Sequence, residues 1–188
     1  MRKIIFPAAI ALLLCALAAC GGGATPPAPA VEPPAESLTG ETSEILTAVI
    51  AGAGELLAAE PPPSFEAPVT TEDCQGMLGL TPEQFETYVT DAYASNAALL
   101  TNAHEIALVK CNDPAAAAEV KTLIAAGFDS GKWICVAPDE SSVIDSGSYV
   151  LLTVTSEEYA EALIASFISL AANNTGEKSV FYTRPGPG

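Results

Sequence analysis

Apolar positions follow two rhythms along this chain, and the switches between them mark its elements. From Thr42 to Ala59, Ile45, Leu46, Val49, Ile50, Ala53, Leu56 and Leu57 recur at i, i+3, i+4 and i+7, the spacing of an amphipathic helix. Thr42 or Ser43 can cap it, and Pro61-Pro62-Pro63 forbids its continuation. Phe65 to Asp73 reads as irregular. Thr81-Pro82-Glu83-Gln84 is a helix start: Thr81 caps, Pro82 suits the first helical position and Gln84 closes a capping box. The short helix that follows carries Phe85, Tyr88 and Val89. The runs Tyr93–Leu100 and His104–Cys111 then read as a β-hairpin.

Asp113-Pro114 opens the next helix, which runs to about Ala126 with Val120, Leu123 and Ile124 inward; Gly127 can end it. Phe128 to Glu140 reads as a packed loop around Trp133, the single tryptophan. Ser141–Asp145 suggests a short strand and Ser146-Gly147 a turn. Tyr149 to Thr155 is the strongest strand, apolar on both faces and so expected at the sheet's centre. Thr155, Ser156 and Glu158 form a second capping box for a last helix, with Ala160, Leu163, Ile164, Phe167, Ile168 and Ala171 as its buried stripe. Val180–Tyr182 is a β-like patch within a tail. The order is ββα twice. It predicts an α+β two-layer sandwich, with a largely antiparallel sheet of about four strands and helices on one face.

The N-terminal run has a different character. Arg2-Lys3 precedes an apolar stretch, Ile4 to Ala19, that is short for a bilayer span of about 20 residues. It closes on Leu17-Ala18-Ala19-Cys20, followed by Gly21, the pattern of a lipoprotein processing site. Cys15 fits badly because the bulky Leu14 precedes it. Residues 1–19 are therefore expected to be a signal peptide, and Cys20 the lipid-bearing residue. From there to residue 41 the chain holds Pro26, Pro27, Pro29, Pro33 and Pro34 among Ala, Gly and Glu, a linker composition with polyproline bias. An amphipathic helix over 42–60, an α+β domain over 70–176 and a tail over 177–188 complete the organisation.

Charge narrows the function. The net charge is -16, with seven Lys+Arg against 23 Asp+Glu, and no cation lies between Lys3 and Lys110. Nucleic-acid binding needs clustered Lys/Arg and is excluded as a class. Adhesion to anionic head groups is disfavoured in the same way, so membrane attachment falls to the lipid on Cys20.

His104 to Lys110, the helix after it, Trp133 with Pro138-Asp139-Glu140, and Gly147-Ser148-Tyr149-Val150-Leu151-Leu152 together resemble a family of bacterial lipoproteins, found mainly in Gram-positive gut bacteria. That family carries the domain of unknown function numbered four-three-five-eight. Gly79-Leu80-Thr81-Pro82 fits the same resemblance, which covers roughly 70–172. It implies a lipid-anchored surface protein with a small α+β domain. It implies no catalytic residue, because the family has no established activity.

The residues themselves offer little chemistry. His104 is the sole histidine. It reads as an exposed or hairpin-edge residue with no role, and Glu105 beside it points to the other face. Cys74, Cys111 and Cys135 form no Cys-x-x-Cys pair; they are expected as buried thiols or as one disulfide of unassigned pairing plus a free thiol. Asp139, Glu140 and Asp145 crowd one region without calcium-loop spacing and read as a solvated loop. Trp133 and Tyr149 are the candidate ligand or partner surface. No cofactor or metal is expected. The leading expectation is a non-enzymatic module at the cell envelope, held by membrane lipid and binding an envelope protein or a small ligand. The alternatives are an extracytoplasmic enzyme or thiol-active protein using His104 or a free cysteine, and a small solute-binding lipoprotein. Cys20→Ala should move the protein from the membrane to the soluble fraction on cell fractionation; full retention would refute the anchor.

Overall fold

A computed structural model describes residues 38–99 and 101–186. The leader, Cys20 and most of the linker lie outside the described residues. The elements run α1 (Thr42–Leu57), β1 (Ser64–Pro68), α2 (Cys74–Leu78), α3 (Pro82–Tyr88), β2 (Val89–Ala97), β3 (Glu105–Cys111), α4 (Pro114–Gly127), β4 (Glu140–Ser146), β5 (Tyr149–Thr155), α5 (Glu157–Leu170) and β6 (Ser179–Thr183). The fold is α+β, with a six-stranded sheet in the order β1-β2-β3-β5-β4-β6. All its pairings are antiparallel. Among the described residues no helix is long and apolar enough to cross a membrane.

Two expectations are corrected together. The sheet has six strands, not about four, and helices cover both of its faces. Alternate residues of the central strands enter separate cores. Ala107, Val109, Val150, Leu152 and Val154 pack with Val120 and Ile124 of α4 and with Cys74 and Leu78 of α2. Ile106, Leu108, Tyr149 and Leu151 pack with Leu46 and Val49 of α1 and with Leu163 and Phe167 of α5. Chirality explains the arrangement. The β3-α4-β4 and β5-α5-β6 crossovers step the same way across the sheet, each skipping one strand. They start from strands that run in opposite directions. Crossovers of one hand must then lie on opposite faces.

The helix starts follow the sequence in part. Thr81 accepts from the Gln84 amide while the Gln84 side chain accepts from the Thr81 amide, completing the box. Asp113 accepts from the Ala116 amide ahead of Pro114. The other two expected caps are absent. The cap position of α1 is Glu41, without a side-chain bond, and Thr42 donates instead to Asp91. Ser156 caps α5 without a side-chain bond, and Thr155 pairs instead with His104. The segment expected to be irregular, Phe65 to Asp73, holds most of β1 and leads directly into α2, and the tail supplies β6. Val89 begins β2 and does not extend α3.

β4 is polar yet wholly buried between β5 and β6. Each of its polar side chains has a partner. Ser141 pairs with Ser130, Ser142 with Glu140 and Thr153, and Asp145 with Lys121; Ser146 donates to the Asn174 carbonyl. Such satisfaction is what permits burial.

The sharpest backbone constraint lies at Gly79, which has φ +70° and ends α2 against the end of α4. A Cβ there would sit 2.3 Å from the Phe128 nitrogen and 2.4 Å from the Gly127 carbonyl carbon. Gly79→Ala should therefore destabilise by about 2 kcal/mol or more, from positive φ and overlap together. Urea unfolding measures this, and an unchanged midpoint would refute it.

Candidate functional site

The strand ends opposite the Ser146–Tyr149 turn leave a groove of about 790 Å³. Its floor is His104, which leads into β3, together with Thr155, the last residue of β5, and Ser156, which precedes α5. One wall is the β2–β3 connection, Thr101 to Ala103, with Pro62 beside it. The other is the segment Ile134–Asp139 ahead of β4, with Arg184 beyond β6.

Each part is positioned by identifiable bonds. His104 is 3% exposed, correcting the expectation of an exposed hairpin residue. Its Nδ1 lies 3.2 Å from the Thr155 hydroxyl and its ring stacks on Tyr159 of α5. Burial lowers its pKa to about 4, so the imidazole is neutral at physiological pH. The second wall is pinned from two directions. Arg184 donates to the Ala137 and Pro138 carbonyls and pairs with Asp139 at 3.2 Å. Lys132 pairs with Glu105 on the sheet, donates to the Gly76 carbonyl of α2, and lies over the Phe128 and Trp133 rings. Ile134, 99% exposed, stands at the rim.

His104 and Glu105 face opposite sides of the sheet, as the strand rhythm predicts. Glu105 is 2% exposed, and burial raises its pKa to about 7 against the opposing pull of Lys132. Trp133 and Tyr149 are not brought together. Trp133 packs beside Phe128 on the α4 side, whereas Tyr149 is buried in the α1–α5 core and donates to the Gly40 carbonyl. Cys74, Cys111 and Cys135 are all free thiols; the first two are buried and Cys135 is exposed on the groove. Burial pushes the Cys111 thiol up to about 12 and the Cys74 thiol upward as well. Asp139, Glu140 and Asp145 are not a solvated acidic loop: they pair with Arg184, Lys178 and Lys121 respectively, and Glu140 and Asp145 are buried. Among the described residues no group of three or more His, Cys, Asp or Glu could hold a metal ion.

Sequence reasoning missed Arg184 and Lys132. Their one signal was scarcity, since only five Lys or Arg follow Lys3. Four of these pair with carboxylates, and the fifth, Lys110, lies 5.4 Å from the Tyr149 ring centre. No family model, curated protein or solved structure matches the chain.

The two buried titratable neighbours have opposite linkage. His104, with its pKa lowered to about 4 from 6.5, makes the fold less stable as pH falls from 6.5 towards 4, because the unfolded state binds the proton first. Glu105, raised to about 7 from 4.5, makes the fold more stable as pH falls from 7 towards 4.5, because the folded state binds it first. The two should largely cancel between roughly pH 4.5 and 6.5. Glu105→Gln removes one side of the balance. Relative to the native chain, its stability should decline with acidification below pH 6.5 by up to about 1.4 kcal/mol per pH unit. Urea unfolding at pH 6.5 and pH 5 checks this; parallel profiles for the two proteins would refute it.

Proposed function

We propose that this chain is a lipid-anchored, extracytoplasmic binding module whose ligand site is the His104 groove, and that the ligand is small, polar and uncharged. The observation that carries this reading is the character of the lining. At about 790 Å³ the groove has the size of small-molecule sites. Its charged members, Asp139 and Arg184, pair with each other, and His104 is neutral. An ionic ligand would find no unpaired opposite charge there, while Thr101, Asn102, Thr155, Ser156 and His104 offer hydrogen bonds.

The chain's path supports the address. Gly40, where the linker reaches the domain, bonds to Tyr149 at one end of β5, and the groove opens by Thr155 at the other. Six residue steps separate them, roughly 20 Å. The described chain therefore enters the domain at the end opposite the groove. A second reading, thiol chemistry, rests on Cys135, which shares the groove with His104.

Ligand-observed NMR with a fragment set divided into uncharged polar, carboxylate and ammonium compounds tests the main reading. Uncharged polar hits are expected, and Asn102→Trp, which fills the groove mouth, should abolish them. Hits confined to charged compounds, or unaffected by Asn102→Trp, would overturn it. Release of one equivalent of thiol from an added small disulfide, with a mixed disulfide formed at Cys135 and both lost when Cys135 is alkylated, would favour the second reading.

A further inference from the structure

The wall of the groove is fastened to the sheet through a costly contact. Glu105 occupies a row that crosses the sheet from Asn96 in β2 to Val154 in β5, and on to Ser141 in β4. Lys132 reaches one of its carboxylate oxygens from the loop above, whereas the other, Oε1, is buried without a hydrogen-bond partner. The Asn96 amide nitrogen, on the strand position directly opposite, is likewise buried and unpaired. A polar pair left half satisfied in this way marks a contact not built for stability alone.

The charges around Glu105 are few. The loop brings Lys132, α2 brings the uncharged Gly76 carbonyl, and the flanking strands bring Asn96 and Val154. Lys132 is the one charged group that acts on it. His104 lies on the opposite face, and Asp129, on the loop, is exposed and bonded to the Gly131 amide.

We propose that docking of the segment 128–138, and with it the wall of the groove, is proton-linked through Glu105, with acid favouring the docked and closed form. The direction is the opposite of what an ion-pair latch would give. In the docked form the carboxyl is dry, and burial outweighs Lys132. Lifting the loop hydrates Glu105 and returns it to ordinary carboxylate behaviour. Docking therefore takes up a proton, and the loop tightens as pH falls from about 7 towards 4.5. A neutral Glu105 does not free Lys132, which keeps the Gly76 carbonyl and the two aromatic rings. The role of this motion in ligand capture rests on the groove being the binding site. The motion itself does not.

Amide hydrogen exchange over 129–138 in the mature full chain, corrected for intrinsic rates, tests the linkage without any ligand. Fluorescence of Trp133, the sole tryptophan, gives a second reading. Protection should rise tenfold or more between pH 7 and pH 5. Glu105→Gln, neutral at every pH, should stay protected throughout and lose the dependence. Lys132→Met removes the compensating charge, so its dependence should extend above pH 7. Loss of protection on acidification, no dependence in the native chain, or a dependence that survives in Glu105→Gln would each overturn the proposal. Should the loop respond as described while the fragment screen finds nothing in the groove, the binding reading fails and the proton linkage stands.

Discussion

Everything in this domain depends on the β3–β5 ladder. From Glu105↔Val154 to Lys110↔Tyr149, six pairs hold two strands together along their length. Strand geometry sends neighbouring side chains to opposite faces, so this one ladder supplies the floor of two cores. Loss of either core would leave one side of both strands wet. The helices are thus secondary to the ladder: α4 and α5 reach opposite faces because they leave strands of opposite direction, and α1 and α2 fill the space that remains beside them.

A second constraint is the shortage of positive charge. With 23 acidic residues and five cations after Lys3, a carboxylate inside this fold needs a partner that the surface would otherwise use. Glu105, Asp139, Glu140 and Asp145 take four of the five. Three of those carboxylates are buried, where an unpaired charge is costly. The acidic excess gives a surface that repels polyanions and resists self-association, and it confines the electrostatic organisation of the molecule to the α4–β6 side and the groove.

Much of the architecture could be read directly. The Asp113-Pro114 and Thr81–Gln84 starts carry their own local chemistry, and Tyr149–Thr155 declares a central strand by carrying apolar residues on both faces. The stripes of α1, α4 and α5 were legible for the same reason. β1 was not, because a five-residue edge strand acquires its identity from the strand it pairs with, whereas β6 showed as the Val180–Tyr182 patch. β4 was read only in part, since its serines look solvent-facing until Ser130, Thr153 and the Asn174 carbonyl are placed around them. The count of helix-covered faces follows from crossover handedness, which no local pattern contains. The site was less visible still. His104 was conspicuous for its rarity, yet its burial depends on Tyr159, more than fifty positions away, and Arg184 looked like part of a tail.

The position of Arg184 also sets an order in time. Every other residue of the groove precedes it in the chain, and it bonds back to Ala137 and Pro138. During synthesis, the sheet from β1 to β5 can assemble while the wall beside Asp139 still lacks its brace. A nascent chain at that stage would hold both cores and no finished groove.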